Sequence, residues 1–133
     1  ERKKNKEAAM ADYVDDAQRV MKKLSQNKNN MVTRSQIRKF LAAVNAVTGE
    51  VEQYRLSQKE TRLSEDLRMQ VKFLKVKLAY QIGRMGTPVK DFNEEAKLMD
   101  WIDGIGDSVE KYQKFASYVE ALVAFHKFYG GKD

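Results

Sequence analysis

EDLRMQVKFLKVKLAYQIGR, residues 65–84, is the stretch that decides the fold. When its residues are placed at about 100° per residue, as in an α-helix, two apolar stripes appear on nearly opposite sides. One stripe holds Met69, Phe73, Val76 and Tyr80, and the other holds Val71, Leu74, Leu78 and Ile82. A helix that is apolar on two sides needs neighbours on both. The sequence therefore predicts a central helix that is sandwiched inside an all-α bundle.

Basic and polar side chains fill the two seams between these stripes. Arg68, Lys72 and Lys75 line one seam, while Lys77 and Arg84 line the other together with two glutamines. Two interpretations are open. Long basic side chains can solubilise a core helix by extending from it into water, or they can form an anion-facing ridge on a rigid element. The second interpretation gains weight only if other helices place cations nearby.

Capping signals and helical spacing predict two helices before this one. The first runs from about residue 7 to residue 24, with Val14, Ala17, Met21 and Leu24 on one face. Thr33 and Gln36 form a capping box that starts the second helix, which reaches Tyr54. Ser64 is a suitable N-cap for the helix that follows. We expect residues 1–32 to be an N-terminal helix and loop, loosely docked on a bundle of residues 33–133, in one domain overall.

Two more helices are predicted after residue 84. Pro88, the only proline, marks a sharp break and starts a helix over residues 88–102. The last helix is capped by Asp107 or Ser108 and ends before Gly130. No segment alternates apolar and polar residues between hairpin turns, so we expect no strand. The predicted fold class is all-α, a single compact bundle of about five helices.

The composition narrows the class of protein. The 133 residues, 42% hydrophobic and 33% charged, fit one compact domain. Lys and Arg number 25 against 19 Asp and Glu, and the net charge of +6 suggests a polyanionic partner. There is no cysteine, which excludes disulfides, thiolate metal sites and cysteine nucleophiles. No apolar run approaches the roughly 20 residues of a membrane span, and we expect a cytoplasmic protein that contacts no membrane.

Candidate catalytic and metal-binding residues are few. His126 is the only histidine, and it sits at the centre of the apolar face of the last helix. A packed, hydrogen-bonded core histidine is therefore favoured over a ligand-binding one. Acidic groups such as Asp100 with Asp103 fall on solvent faces among lysines, which favours solvated charge over a magnesium or acid/base site. Glycine-rich phosphate loops are absent. We predict no catalytic residue, no metal ligand and no cofactor.

Basic residues are better organised than acidic ones. Arg34 and Arg38 lie within about 40° of each other on the second helix, with Lys39 beside them, away from the apolar face. Together with the cations of residues 65–84, this ridge fits a surface that follows a phosphate backbone. The sequence does not show whether the two ridges are adjacent. Exposed aromatic stacking platforms are not expected, because most aromatic residues are spaced as core residues.

Four segments carry a family resemblance. TRSQIRKFL at 33–41, KFLKVKLAYQIGR at 72–84, VKDFNEEAKL at 89–98 and YVEALVAFHKFYGGKD at 118–133 resemble the small subunit of the type III-A CRISPR effector, the Csm complex. The resemblance covers about residues 33–133. Its most specific part is the Lys-Phe-Tyr-Gly-Gly ending that follows a Glu-Ala-Leu-Val-Ala helix.

The resemblance implies a non-catalytic assembly protein that supports antiviral defence. Members of the family lie in several copies along the duplex of guide RNA and target RNA. The implied protein partners are the backbone nuclease subunit, the large subunit and further copies of the chain itself. The RNA-binding candidates are Arg34, Arg38, Arg68, Lys72, Lys75, Lys77 and Arg84, with Lys127 and Lys132 as weaker ones. The alternative is a helical protein-interaction or DNA-binding regulatory module with a basic surface.

Overall fold

The structure is a computed structural model that describes residues 12–131. Its six α-helices are α1 (Tyr13–Leu24), α2 (Arg34–Gln58), α3 (Glu65–Met85), α4 (Thr87–Ala96), α5 (Leu98–Ile105) and α6 (Val109–Phe128). A 3-10 helix, Ser25–Asn30, connects α1 to α2. Residues 12–131 contain no strand, only an isolated bridge between Arg62 and Ser108. The all-α fold class is confirmed, with six helices within residues 12–131 in place of about five. None of these helices is long and apolar enough to span a membrane.

The helix starts follow the predicted capping residues. The Thr33 hydroxyl accepts a hydrogen bond from the backbone N–H of Gln36 at 3.2 Å, and the Gln36 side chain accepts one from the Thr33 N–H at 2.9 Å. This is the capping box that starts α2. The hydroxyls of Ser64 and Ser108 each accept a hydrogen bond from the N–H three residues further on, at 3.2 and 3.1 Å, and so cap α3 and α6. These predictions are confirmed, although α2 continues beyond the expected end to Gln58.

The single helix predicted over residues 88–102 is wrong, because Lys97 divides it into α4 and α5. Lys97 has φ +55°, the left-handed conformation that normally favours glycine. Two backbone groups next to the break form hydrogen bonds with side chains. Asn93 Oδ1 accepts a hydrogen bond from the N–H of Met99 at 3.2 Å, and the Tyr118 hydroxyl donates to the carbonyl of Ala96 at 2.9 Å. A lysine at the breaking position gives no signal in the sequence.

The last helix, α6, occupies the central position that was predicted for residues 65–84. It packs against α1, α2 and α5 and buries Tyr112, Phe115, Tyr118, Val119 and Leu122. From the first helix, α1 contributes the fully buried side chains Ala17, Val20 and Met21. Val14, predicted on the same apolar face, is 45% exposed. Residues 7–11 of the predicted first helix lie outside the described residues.

His126 belongs to the core, as predicted. Its side chain is buried, and Nε2 lies 2.7 Å from the carbonyl oxygen of Val32. Because a carbonyl only accepts, Nε2 carries the hydrogen and donates it. Gly131 lies directly against the ring, so that any side chain there would overlap the imidazole. The histidine therefore joins the end of α6 to the residue before the α2 cap.

Candidate nucleic-acid interface

One apolar stripe of α3 lies on the protein surface. Met69, Phe73, Val76 and Tyr80 are 60%, 54%, 52% and 67% exposed. The prediction that neighbours cover this helix on two sides is therefore wrong. The opposite side buries Leu67, Val71, Leu74, Leu78 and Gln81. Periodicity identifies apolar faces without showing what covers them, and the other helices of the bundle meet α3 on one side.

A groove of about 640 Å³ runs between α2 and the exposed stripe of α3. Its α2 wall includes Ala42, Ala43 and Ala46, and its α3 wall includes Phe73, Val76 and Tyr80. Below it, Gln81 Nε2 donates a hydrogen bond to the carbonyl of Gln36 at 2.7 Å. This bond joins the C-terminal half of α3 to the first turn of α2, so the two helices run antiparallel. Small side chains on α2 beside large ones on α3 create the depression.

Three cations line this groove. They are Lys39 from α2 with Lys77 and Arg84 from α3. Arg84 Nη1 lies 3.5 Å from the Tyr80 hydroxyl, and within residues 12–131 neither lysine is paired with a carboxylate. The structure thus brings part of the α2 ridge and one seam of α3 to a common surface, which the sequence left open.

The other seam of α3 is divided. Lys75 Nζ lies 2.5 Å from Asp103 Oδ1 of α5, so this cation is paired with a carboxylate at the surface, and 38% of its side chain is exposed. Arg68 and Lys72 are exposed and follow the far edge of the exposed stripe. Because α3 is covered on only one side, cations from both seams border the same open face.

The remaining candidates lie around this face or away from it. Arg34 and Arg38 are exposed on α2, and at about 100° per residue they lie about 140° and 100° around the helix from Lys39. Lys127 is exposed near the end of α6, whereas Lys132 lies outside the described residues. The candidates therefore form an outer ridge on α2 and two borders on α3.

The tyrosines with shifted pKa values have structural partners. Burial raises the pKa of Tyr112 to about 12, against the opposing effect of its hydrogen bond with Thr48. Its hydroxyl donates to the Val44 carbonyl at 2.9 Å. Burial likewise raises the pKa of Tyr118, whose hydroxyl binds the Ala96 carbonyl. Both groups stay neutral and connect α6 to neighbouring helices.

The acidic side chains do not form a metal site in the described part of the chain. No group of three or more histidine, aspartate or glutamate residues within 12–131 is placed to hold a metal ion. Asp100 and Asp103 are exposed, and Asp103 pairs with Lys75. Their arrangement is that of exposed surface charge.

A small helical protein with an open, cation-bordered face is the class that fold and surface define, and comparison with known proteins gives its family. A model of the type III-A Csm2 family matches residues 7–132. The protein called "CRISPR system Cms protein Csm2" in Streptococcus thermophilus is 39% identical over 123 residues, 91% of this chain and 93% of the relative. Its namesake in Mycobacterium tuberculosis H37Rv is 35% identical over 92% of this chain and 94% of the relative. The chain belongs to the Csm2 family, the small subunit of the type III-A CRISPR complex.

A third relative of the same name, from Enterococcus italicus, is 36% identical over 106 residues, 75% of this chain and 69% of the relative. The family match begins at residue 7, well before the segments from residue 33 onward that carry the resemblance in the sequence. The resemblance is therefore confirmed, and it extends across the first helix.

The sequence does not predict the groove, because it places two aromatic residues of α3 on a stripe that neighbouring helices were expected to cover. Phe73 and Tyr80 are exposed, although their helical spacing is that of core residues. A usable signal lies on α2, where Ala42 and Ala46 follow Lys39 at helical spacing on the polar side. Small side chains beside an apolar stripe leave a depression, but this requires knowing that α2 and α3 are neighbours in this orientation.

Proposed function

We propose that this small subunit holds the duplex of guide RNA and target RNA by its phosphate backbone, in several copies along a cytoplasmic Csm filament. The observation that carries the proposal is the grouping of α2 and α3 cations on and around one open face. Arg and Lys on rigid helices neutralise phosphates without reading bases. The proposed contacts are Arg34, Arg38, Arg68, Lys72, Lys75, Lys77 and Arg84.

The proposed role is to hold RNA without cutting it. Phosphodiester cleavage requires a metal ion or a positioned acid and base. In the described residues, the single histidine donates its hydrogen bond within the core, and the acidic groups provide no metal cluster. These features support a non-catalytic subunit whose neighbours, including the backbone nuclease subunit and the large subunit, perform the chemistry.

Sequence specificity in this proposal comes from base pairing between guide and target, as in other RNA-guided effectors. The protein contacts backbone and shape alone. Several copies on one filament bind the same duplex together, so modest individual contacts are sufficient for stable binding. A surface of exposed arginines and lysines matches this requirement, because each contact is weak and independent of sequence.

Three sets of alanine substitutions test the proposal in the assembled complex. The sets are Arg34 with Arg38, then Arg68 with Lys72 and Lys75, then Lys77 with Arg84. At least one set should weaken RNA binding alike for all target sequences, and each lost phosphate contact should reduce the log–log salt slope by about 0.7 to 0.9. Helicity should change little, because alanine is a good helix former.

A matched control changes two exposed lysines elsewhere, Lys22 on α1 and Lys90 on α4, to alanine. Length-matched DNA, measured in parallel, separates the proposal from a DNA-binding regulatory module, since the effector subunit should prefer RNA in the assembled complex. If all three sets remain folded, assemble normally and bind RNA with unchanged affinity and salt slope, the proposed RNA contacts are refuted.

A further inference from the structure

The exposed stripe of α3 has the spacing of a helix-docking seam. Its members Met69, Phe73, Val76 and Tyr80 are separated by four, three and four residues, the a/d pattern of two heptads. The facing side of α2 repeats at three, four and three residues, through Lys39, Ala42, Ala46 and Gly49. A Cβ added at Gly49 would meet nothing within 4 Å. The stripe on α2 consists of small residues after Lys39, and the stripe on α3 consists of large residues, so the groove between them has a shape that can receive a third helix.

We propose that this groove is the docking site for an amphipathic helix of another protein subunit, with apolar residues toward the stripe and Asp or Glu on its flanks. The inference rests on the proposed function only in treating the chain as one subunit of a multi-protein complex. It narrows the proposed RNA contacts, because it assigns the exposed apolar surface and the groove cations Lys77 and Arg84 to protein and leaves phosphate contact to the cations outside the groove.

The cations around the groove are the reason to expect Asp or Glu on the flanks of the incoming helix. Lys72 borders one side of the seam, and Lys77 and Arg84 border the other, which are the positions where coiled coils place the charges that select a partner. Lys39 lines the groove together with Lys77 and Arg84. The carboxylates of the incoming helix are therefore expected to be densest over this cationic end.

The same charges disfavour two other occupants from this chain. Residues 1–11, which lie outside the described residues, carry four cations, Arg2, Lys3, Lys4 and Lys6, against two carboxylates. That segment would meet like charge in the groove. A second copy pairing through the same stripe would place Lys77 and Arg84 opposite like charges as well, which is unfavourable at these positions.

The spacing of the aromatic side chains favours a helix over single-stranded RNA. Phe73 and Tyr80 are seven residues apart, about 10.5 Å along the helix axis, and the aliphatic side chain of Val76 lies between them. Successive stacked bases need neighbouring aromatic faces. The exposed apolar stripe of α3 contributes nothing to phosphate contact. An amphipathic helix, in contrast, would bury this stripe against its own apolar face.

A single-cysteine cross-linking experiment tests the proposal, since the natural chain has no cysteine. Val76→Cys carries a benzophenone photocross-linker, and the labelled chain is assembled with its companion subunits and RNA. We expect a cross-link to a helical segment of another subunit that has Asp or Glu on its flanks. Leu56→Cys, at a residue that is also exposed but outside the groove, is the control and should not cross-link to that segment. Cross-links to RNA or to a second copy, or a label that stays accessible to solvent after assembly, would overturn the proposal.

Two sets of variants separate this inference from the proposed RNA contacts. Phe73→Ser with Val76→Ser leaves charge unchanged, and it should weaken incorporation of the subunit roughly tenfold or more while leaving the salt slope of RNA binding unaltered. Lys77→Glu with Arg84→Glu should weaken incorporation as well, and acid-to-lysine changes in the cross-linked helix should restore it. Circular dichroism confirms that each variant is folded. Normal incorporation of both variants would refute the docking site, even if Arg34 and Arg38 are shown to contact RNA. Weakened incorporation of both variants, together with unchanged RNA binding when Arg34 and Arg38 are replaced, would refute only the RNA contacts.

Discussion

Replacing His126 by alanine should destabilise the protein strongly without removing the proposed RNA contacts. The ring is 1% exposed, and its Nε2–H donates to the Val32 carbonyl at 2.7 Å. Losing this bond in the core costs about 1–3 kcal/mol, and the cavity left by the ring adds about 1–2 kcal/mol. We expect the free energy of unfolding to fall by about 2–5 kcal/mol. At about 2.1 cal/mol/K per residue, unfolding of 133 residues has an entropy near 0.28 kcal/mol/K, so the Tm should fall by about 7–18 °C.

The assay is thermal unfolding followed by circular dichroism at 222 nm, together with urea unfolding at 25 °C. His126→Gln keeps an N–H donor in a side chain of similar reach, and it should recover part of the loss. A Tm for His126→Ala within about 2 °C of the natural chain would refute the core role. A stable, folded His126→Ala variant that no longer binds RNA would show that the ring acts at the RNA surface.

Three further predictions concern pH, cleavage and backbone strain. Burial raises the pKa of Tyr112 to about 12 in the folded protein, whereas the pKa of a tyrosine in an unfolded chain is about 10. The neutral form of Tyr112 therefore stabilises the fold in full below pH 10. That contribution is lost as pH rises through 12, and urea unfolding at pH 8, 10 and 11.5 should show a smaller alkaline loss in Tyr112→Phe. The isolated chain should leave RNA intact with Mg²⁺ or Mn²⁺, and cleavage that disappears on changing Asp100 or Asp103 to Asn would contradict this. Lys97→Gly should raise the Tm by about 2–4 °C, since it relieves a left-handed residue at φ +55°; a lower Tm in calorimetry would show that the lysine is unstrained.

Helix starts are predictable from the sequence because their determinants are local. Thr33, Ser64 and Ser108 each bond to a group three residues away, so the pattern is complete within one turn. The break at Lys97 is not predictable in this way. It depends on the Tyr118 hydroxyl, which reaches the Ala96 carbonyl from another helix.

The candidate site is predictable only as two separate sets of cations, one on α2 and one on α3. The helical spacing of the α3 cations places them at the borders of the apolar stripes. Which border faces which neighbour depends on contacts distant in sequence, such as Lys75 with Asp103 of α5. The burial of one stripe and the exposure of the other depend on how the six helices of residues 12–131 pack against one another. The helical spacing of Phe73 and Val76 does not show whether other helices cover them.

The glycine pair near the end of the described chain has a mechanical consequence. Gly130 turns the chain at φ +72°, and Gly131 then crosses the face of His126, with its own N–H bonded to the His126 carbonyl at 2.8 Å. The same imidazole holds Val32, the last residue before the cap of α2. The His126 ring therefore connects three segments: the residues after α6, α6 itself, and the start of the helix that carries Arg34 and Arg38. A larger side chain at Gly131 would displace the ring, and this displacement would reach the first turn of α2, about 100 residues earlier in the sequence.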